Sequence, residues 1–272
     1  MNSSIVQIFF ARPPVPGRVK TRLAEFMGHE AARDFYRATL AHVWRNFSAA
    51  SEARPAAGID FATICIASAD PDQIELFPDV LREAGVTPDW PIFVQRGADL
   101  GERMACAFED ALALAQGGSR ERVFLLTGTD IPFYDRDVVA AAVRSLDSHD
   151  AVLGPTPDGG YYLIGLRERV VRRPDLLRRI FSDLPWSTDQ VRALQERRLA
   201  DLGVSAGLAP ELRDVDTYED LQALVASSEE SRSGANEKQV ENYVTQIRTL
   251  LPDVRVILPI LNEAENLDFV LR

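Results

Sequence analysis

The chain has 272 residues, of which 46% are apolar, 26% charged and 8% aromatic. That is ordinary globular composition and excludes a wholly disordered, collagen-like or membrane-spanning chain. Thirty Lys and Arg against 41 Asp and Glu leave a net charge of −11, the opposite of a nucleic-acid binder's basic footprint, so no nucleic-acid partner is expected.

No apolar run approaches the roughly 20 residues of a membrane helix, so no span is expected. Ile5–Phe10 is too short for a signal core and has no basic residue before it. Cys65 and Cys106 lie 41 positions apart and form neither a metal nor a redox spacing. A reducing, cytoplasmic location is the simplest expectation.

In chain order, Ile5–Phe10 reads as a buried first strand stopped by Arg12-Pro13-Pro14. A helix is expected over His29–Phe47, with Phe35, Leu40, Val43 and Trp44 on one face. Strands follow at Asp60–Ala67 and Pro91–Val94, then a helix over Gly101–Ala115. Arg122–Thr127 is a continuous apolar run of the kind a strand buried on both faces needs. Asp135 is placed to cap a helix over Arg136–Leu146. Ala151–Gly154 and Tyr161–Leu166 flank a Pro-Asp-Gly-Gly turn and should pair antiparallel. Ser187 with Gln190 reads as a capping box opening a helix to about Leu199, and Thr217 with Asp220 opens another to about Val225. Strand and helix in alternation mean an α/β fold with a mixed, mostly parallel sheet.

Beyond residue 226 the pattern changes. Ser227–Lys238 is polar and aperiodic, so 227–253 reads as a linker with room for a short amphipathic helix over Val240–Leu251. Val254–Leu258 then reads as a new strand, and 254–272 as the incomplete start of a second domain.

In open α/β sheets ligands bind outside the carboxyl ends of the strands, so the loops there carry the chemistry. The first, Arg12 to Arg22, holds Arg12, Arg18, Lys20 and Arg22 and no acid, and Lys20 is one of only two lysines in the chain. A basic loop running into a helix N-terminus suits a diphosphate, and Gly17 permits close approach. Asp130 in Gly128-Thr129-Asp130-Ile131-Pro132 is positioned as a Mg²⁺ ligand beside substrate phosphates. Asp216 in Asp214-Val215-Asp216 can complete a two-carboxylate metal site, or these acids can simply favour the following helix. Asp158, in the turn with Gly159, Gly160 and Tyr161, is a candidate base or acceptor-orienting group. Trp186 and Ser187 are candidates for the acceptor pocket, and Arg96 and Asp99 can contact base or ribose or merely cap the next helix. Neither a G-x-G-x-x-G nor a P-loop occurs, and no histidine sits in a nucleophile or zinc motif.

Six ordered segments (FFARPPVPGRVKTRLA, QRGADLGERM, GTDIP, DAVLGPTPDGGYYLIGL, PWSTDQV and LRDVDTYEDL) resemble the "transferase 1" proteins over about residues 5–226. These are the radical-SAM/selenodomain-associated, glycosyltransferase-like family, related to the guanylyltransferase of deazaflavin cofactor synthesis. The resemblance implies a single GT-A type domain over 1–226, the three-layer fold of nucleotide-diphospho-sugar transferases. By it, Gly17, Arg18, Lys20 and Arg22 match the nucleotide phosphate loop, Asp130 the metal aspartate and Asp216 the second metal position. The family more often has Lys-Ala at Arg12-Pro13, which keeps the charge. The segment VRVILPILNEAENL is similar to the opening of family-2 glycosyltransferases.

The expected function is therefore metal-dependent transfer from a nucleotide-activated donor. Mg²⁺ or Mn²⁺ would be the cofactor and Asp130, Asp158 and Lys20 the catalytic set. The donor would be foremost a nucleotide sugar. Two alternatives stand beside it: a nucleotidylyltransferase releasing pyrophosphate from a nucleoside triphosphate, and a non-catalytic nucleotide-binding module. Donor base, acceptor and oligomeric state are not legible.

Overall fold

The computed structural model describes residues 4–48, 59–87, 89–115, 120–230 and 237–250. The strand expected over Val254–Leu258, and the glycosyltransferase-like segment around it, lie outside the described residues. Seven strands form one sheet: β1 (Ser4–Ala11), β2 (Asp60–Ser68), β3 (Ile92–Val94), β4 (Arg122–Thr127), β5 (Ala151–Pro155), β6 (Tyr161–Arg167) and β7 (Ala206–Leu208). Their order across the sheet is β3-β2-β1-β4-β6-β5-β7. Only β6 runs against its neighbours, β4 and β5; all other pairs are parallel. The α/β, mixed and mostly parallel sheet expected from the sequence is the one found.

Helices α1 (Thr21–Met27), α2 (His29–Arg45), α3 (Phe77–Glu83), α4 (Leu100–Leu114), α5 (Arg136–Leu146), α6 (Glu168–Val171), α7 (Pro174–Phe181), α8 (Val191–Asp201), α9 (Tyr218–Glu230) and α10 (Glu237–Leu250) surround it. A 3₁₀ turn at Pro71–Leu76 precedes α3. The alternation of β1 sorts the two cores. Ile5, Phe9 and Ala11 join α2, α3 and α5 on one face, and Val6 and Ile8 join α4 and α7 on the other. Every residue of β4 is buried, as its unbroken apolar run demands.

The capping chemistry was partly readable. Asp135 accepts from Asp137 N and Val138 N and starts α5 where expected. Thr217 and Asp220 cap α9 reciprocally: Asp220 N donates to Thr217 Oγ1 at 3.2 Å and Thr217 N to Asp220 Oδ2 at 2.9 Å. The Ser187–Gln190 box is not formed. Ser187 sits in the left-handed region at φ 65°, and α8 starts only at Val191 behind Gln190, without a side-chain cap. Four short helices and β7 are not legible in the sequence; α1, α3, α6 and α7 have only 4 to 8 residues each, too few for a clear period.

Two helices enter the stretch read as a polar linker. Helix α9 continues through Glu230 and α10 begins at Glu237. The amphipathic helix seen in the sequence packs on the domain: Tyr243, Val244 and Ile247 bury against Leu221 and Leu224. Tyr243 also stacks on His42 at 4.3 Å and shares a 2.7 Å hydrogen bond with Thr39.

Candidate functional site

The chain leaves β1 outward to β2 and β3, then returns to β4 on the other side of β1. This reversal opens a crevice at the carboxyl ends of β1 and β4. Antiparallel β6 brings the turn before Tyr161 to the same edge, because Tyr161 pairs with Pro155 and Leu163 with Thr127.

The first wall is the loop after β1. Arg18 N bonds Val15 O at 3.1 Å, and Gly17 turns with φ 75°. Lys20 then adopts φ 46°, ψ 46°, left-handed geometry that costs a non-glycine residue about 1 kcal/mol or more. Its carbonyl accepts Ala24 N as α1 begins. The expected helix N-terminus for phosphate is thus only a two-turn helix, and the charge of this wall resides in side chains. Arg18 pairs with Asp70. Arg12 and Arg22 line the crevice and form no ion pair among the described residues.

The second wall is Gly128–Pro132. A side chain at Gly128 would bring its Cβ to 2.9 Å from Asp130 Oδ1, so the glycine leaves the carboxylate its place. Helix α2 grips this loop from behind. Arg12 N donates to Tyr36 Oη, which shares a 3.0 Å hydrogen bond with Thr129 Oγ1. His42 Nε2 donates to Pro132 O at 3.0 Å, and Asn46 Nδ2 to Tyr134 O at 3.1 Å. The third wall follows β7. Val215 N donates to Asp130 O at 3.2 Å, and the Thr217–Asp220 cap fixes the chain just after Asp216.

These walls bring Lys20, Asp130, Asp214 and Asp216 together. Lys20 Nζ lies 3.1 Å from Asp130 Oδ2 and 2.5 Å from Asp216 Oδ1. The lysine side chain is 4% exposed, against 34% for Asp130 and 40% for Asp216, so both acids keep an open side toward the crevice. Burial alone would lower the ammonium's pKa, but the two carboxylates outweigh it and hold it above its ordinary value. Asp214 is pushed up to about 6 by burial, and then by the negative charge of Asp130 and Asp216. One oxygen from each of the three aspartates lies within 4.8 Å of the others. Such a spacing of hard oxygen donors suits a divalent cation.

Beyond Asp216 the crevice continues into a second space of about 580 Å³. Phe10, Leu100, Met104 and Trp186 line it, together with Asp158 and Ser187. Asp158 Oδ1 accepts from Thr156 Oγ1 and Gly160 N, so one oxygen organises the turn. Its other oxygen has no hydrogen bond among the described residues. Gly159 is required sterically: φ is 86°, and a Cβ there would lie 1.9 Å from Asp189 O. The paired tyrosines diverge. Both border this space, but Tyr161 bonds Gln195, whereas Tyr162 packs in the opposite core layer and bonds Pro210 O at 2.8 Å.

In the Gln95–Met104 segment, Arg96 and Asp99 both make contacts to α4. Arg96 pairs with Asp110 on α4 at 2.6 Å, and Asp99 caps α4 through Glu102 N at 2.8 Å. Neither lines the crevice. Thr129 and Tyr36 were missed, having no motif of their own. Asp214 was noticed as part of an acid pair but not assigned to the metal.

The profile of a family described as "Uncharacterized protein conserved in bacteria (DUF2064)" matches residues 56–188. Among solved structures, the chain is similar to a protein from Desulfovibrio desulfuricans G20 provisionally assigned as a nucleotide-diphospho-sugar transferase. Identity is 29%, with a TM-score of 0.67, over 91% of this chain and 98% of that one. A 4-diphosphocytidyl-2C-methyl-D-erythritol synthase is 11% identical, with a TM-score of 0.50, over 82% of this chain and 97% of that one, a likeness of fold. No curated protein matches. The fold is thus that of nucleotide-diphospho-sugar transferases, as the motifs implied.

Proposed function

We propose that the chain is a metal-dependent transferase acting on a nucleotide-activated donor, foremost a nucleotide sugar. The observation that carries this is the meeting of Lys20 and three aspartates at the reversal point of the sheet, beside Arg12 and Arg22, which form no ion pair among the described residues. The fold and the similarity to the Desulfovibrio protein support a nucleotide-using transferase; the sugar donor is the finer step taken here.

Asp130 and Asp216, with Asp214 beside them, are the residues that would hold Mg²⁺ or Mn²⁺, and the hard-oxygen donor set fits that ion. Bound there, the ion would supply electrostatic stabilisation of charge on the donor's phosphates. Arg12, Arg18 and Arg22 orient and neutralise the diphosphate, and the Arg18 pair with Asp70 exchanges for that contact. Lys20 supplies a positive charge to the same phosphates as the leaving group forms. On the acceptor side, the free oxygen of Asp158 takes the proton of the attacking hydroxyl or orients it. Trp186 supplies a flat apolar wall that excludes water from the reacting bond.

The test is product analysis with Mn²⁺ over a panel of nucleotide sugars and nucleoside triphosphates, each with hydroxylated acceptors. Nucleoside diphosphate released from a sugar donor supports the proposal. Pyrophosphate released from a triphosphate transfers the assignment to nucleotidyl transfer. Nucleotide bound without any product supports the non-catalytic reading.

A further inference from the structure

The ammonium of Lys20 stands where a cation shared by Asp130 and Asp216 would stand. We infer that Lys20 is an exchangeable counter-ion: in the unloaded protein it fills the cation position, and a divalent ion displaces it onto the donor's phosphates. This rests on the metal-site reading above.

An ammonium 2.5 Å and 3.1 Å from two carboxylate oxygens cannot share that position with a divalent ion. A buried ammonium must also keep an anion, since an unpaired buried charge is strongly unfavourable. Lys20 has no other side-chain partner among the described residues, and its loop from Arg12 to Arg22 carries no acid. Asp214 belongs to the same acidic cluster, with one oxygen within 4.8 Å of those of Asp130 and Asp216, so it faces the same ion. An anion brought by the donor is what remains. The consequence is linkage: the ion alone must leave Lys20 unpaired, whereas ion and nucleotide together leave every charge paired. Binding of each therefore favours the other.

The moving part is also defined. Lys20 joins a turn to a short helix in a strained left-handed conformation, and its ammonium rides on a flexible four-carbon stem. The aspartates are held, Asp130 by Val215 N and Asp216 by the cap that follows it.

The experiment uses Mn²⁺ alone, without nucleotide, and reads free ion by electron paramagnetic resonance. Lys20→Met should bind Mn²⁺ more tightly than the wild type, by at least about tenfold, because one positive charge leaves the site. In the wild-type protein, acylation of Lys20 by an amine reagent should accelerate when Mn²⁺ is added, with Lys238, the other lysine, as the internal reference. This second measurement stands even if Lys20→Met does not fold. Equal or weaker Mn²⁺ binding by Lys20→Met, or a labelling rate of Lys20 unmoved by saturating Mn²⁺, overturns the exchange. Adding Asp130→Asn to both proteins separates the two readings. If Mn²⁺ binding survives that change, the metal-site reading falls and the exchange with it. If binding is abolished while Lys20→Met and wild type bind equally, only the exchange falls.

Discussion

Asp130 keeps one side toward Lys20 and another toward the crevice, so on the proposed mechanism its charge rather than its shape is what acts. Asp130→Asn preserves the shape. On the proposed mechanism it should lower kcat by about 10²–10³-fold with little loss of stability; near-wild-type turnover would remove Asp130 from the mechanism. Glu168 shows the opposite case, a charge used for structure. It accepts from Arg122 Nε at 3.0 Å, Arg122 Nη2 at 2.7 Å and Arg172, and the Arg122 bonds hold its pKa down at about 2. Glu168→Gln leaves two guanidinium groups without their anion and should cost about 3 kcal/mol, read from the denaturant midpoint. Its folded pKa lies below the ordinary 4.5, so this contribution is full above pH 4.5 and fades as the pH falls toward 2. At this scale the sequence singles out charges that the fold brings together, but not their partners. Asp130, Asp216 and Lys20 were all singled out, yet Lys20 was assigned to phosphate, because only the fold brings position 20 beside 130 and 216. For Arg96 and Asp99 the sequence leaves both a nucleotide contact and a helix cap open, because a motif does not reveal which side chains a neighbouring helix engages.

Helix α2 is the element that connects the core to the site. Tyr36, His42 and Asn46 reach the backbone or hydroxyl groups of Thr129, Pro132 and Tyr134, so one helix face fixes the loop bearing Asp130. His42 must donate from Nε2 to a carbonyl while buried beneath Tyr243, which fixes it as the neutral tautomer. Burial, helped by the charge of Arg45, lowers its pKa to about 4. The unfolded chain takes up a proton near pH 6.5 that the folded protein refuses, so stability is lost as the pH falls from 6.5 toward 4. His42→Phe should remove that acid-side slope while costing about 1 kcal/mol near pH 7.5 for the lost hydrogen bond. Denaturant midpoints of both proteins at pH 4.5 and 7.5 measure this; equal pH dependence would show that His42 titrates normally. Legibility of the elements followed length and burial. Arg122–Thr127 and Arg136–Leu146 were read to the residue, the one from its unbroken apolar run and the other from its aspartate cap. The three residues of β7 and the eight of α7 carry too little pattern, and Ser187 followed a cap motif that its left-handed backbone cannot serve.

Over the whole molecule, strand order converts separate loops into a site. Because β1 sits between β2 and β4, segments more than 100 residues apart in sequence meet at one edge: Lys20 with Asp130, 110 positions on, and with Asp216, 196 positions on. The antiparallel insertion of β6 adds the Asp158 turn to that edge, joining a charged half of the crevice to a more apolar half. Alternation of strands and helices was enough to anticipate an α/β sheet, but not the position of β6 between β4 and β5, which depends on long-range pairing. The account stands on this edge being a cation-dependent nucleotide site. Calorimetric titration of nucleoside diphosphates with Mn²⁺, with EDTA in its place, and with Asp130→Asn tests it most directly. The account predicts that at least one nucleoside diphosphate binds with Mn²⁺ and that EDTA or Asp130→Asn abolishes the binding. Binding of equal strength in all three conditions, or no nucleotide binding at all, would contradict it.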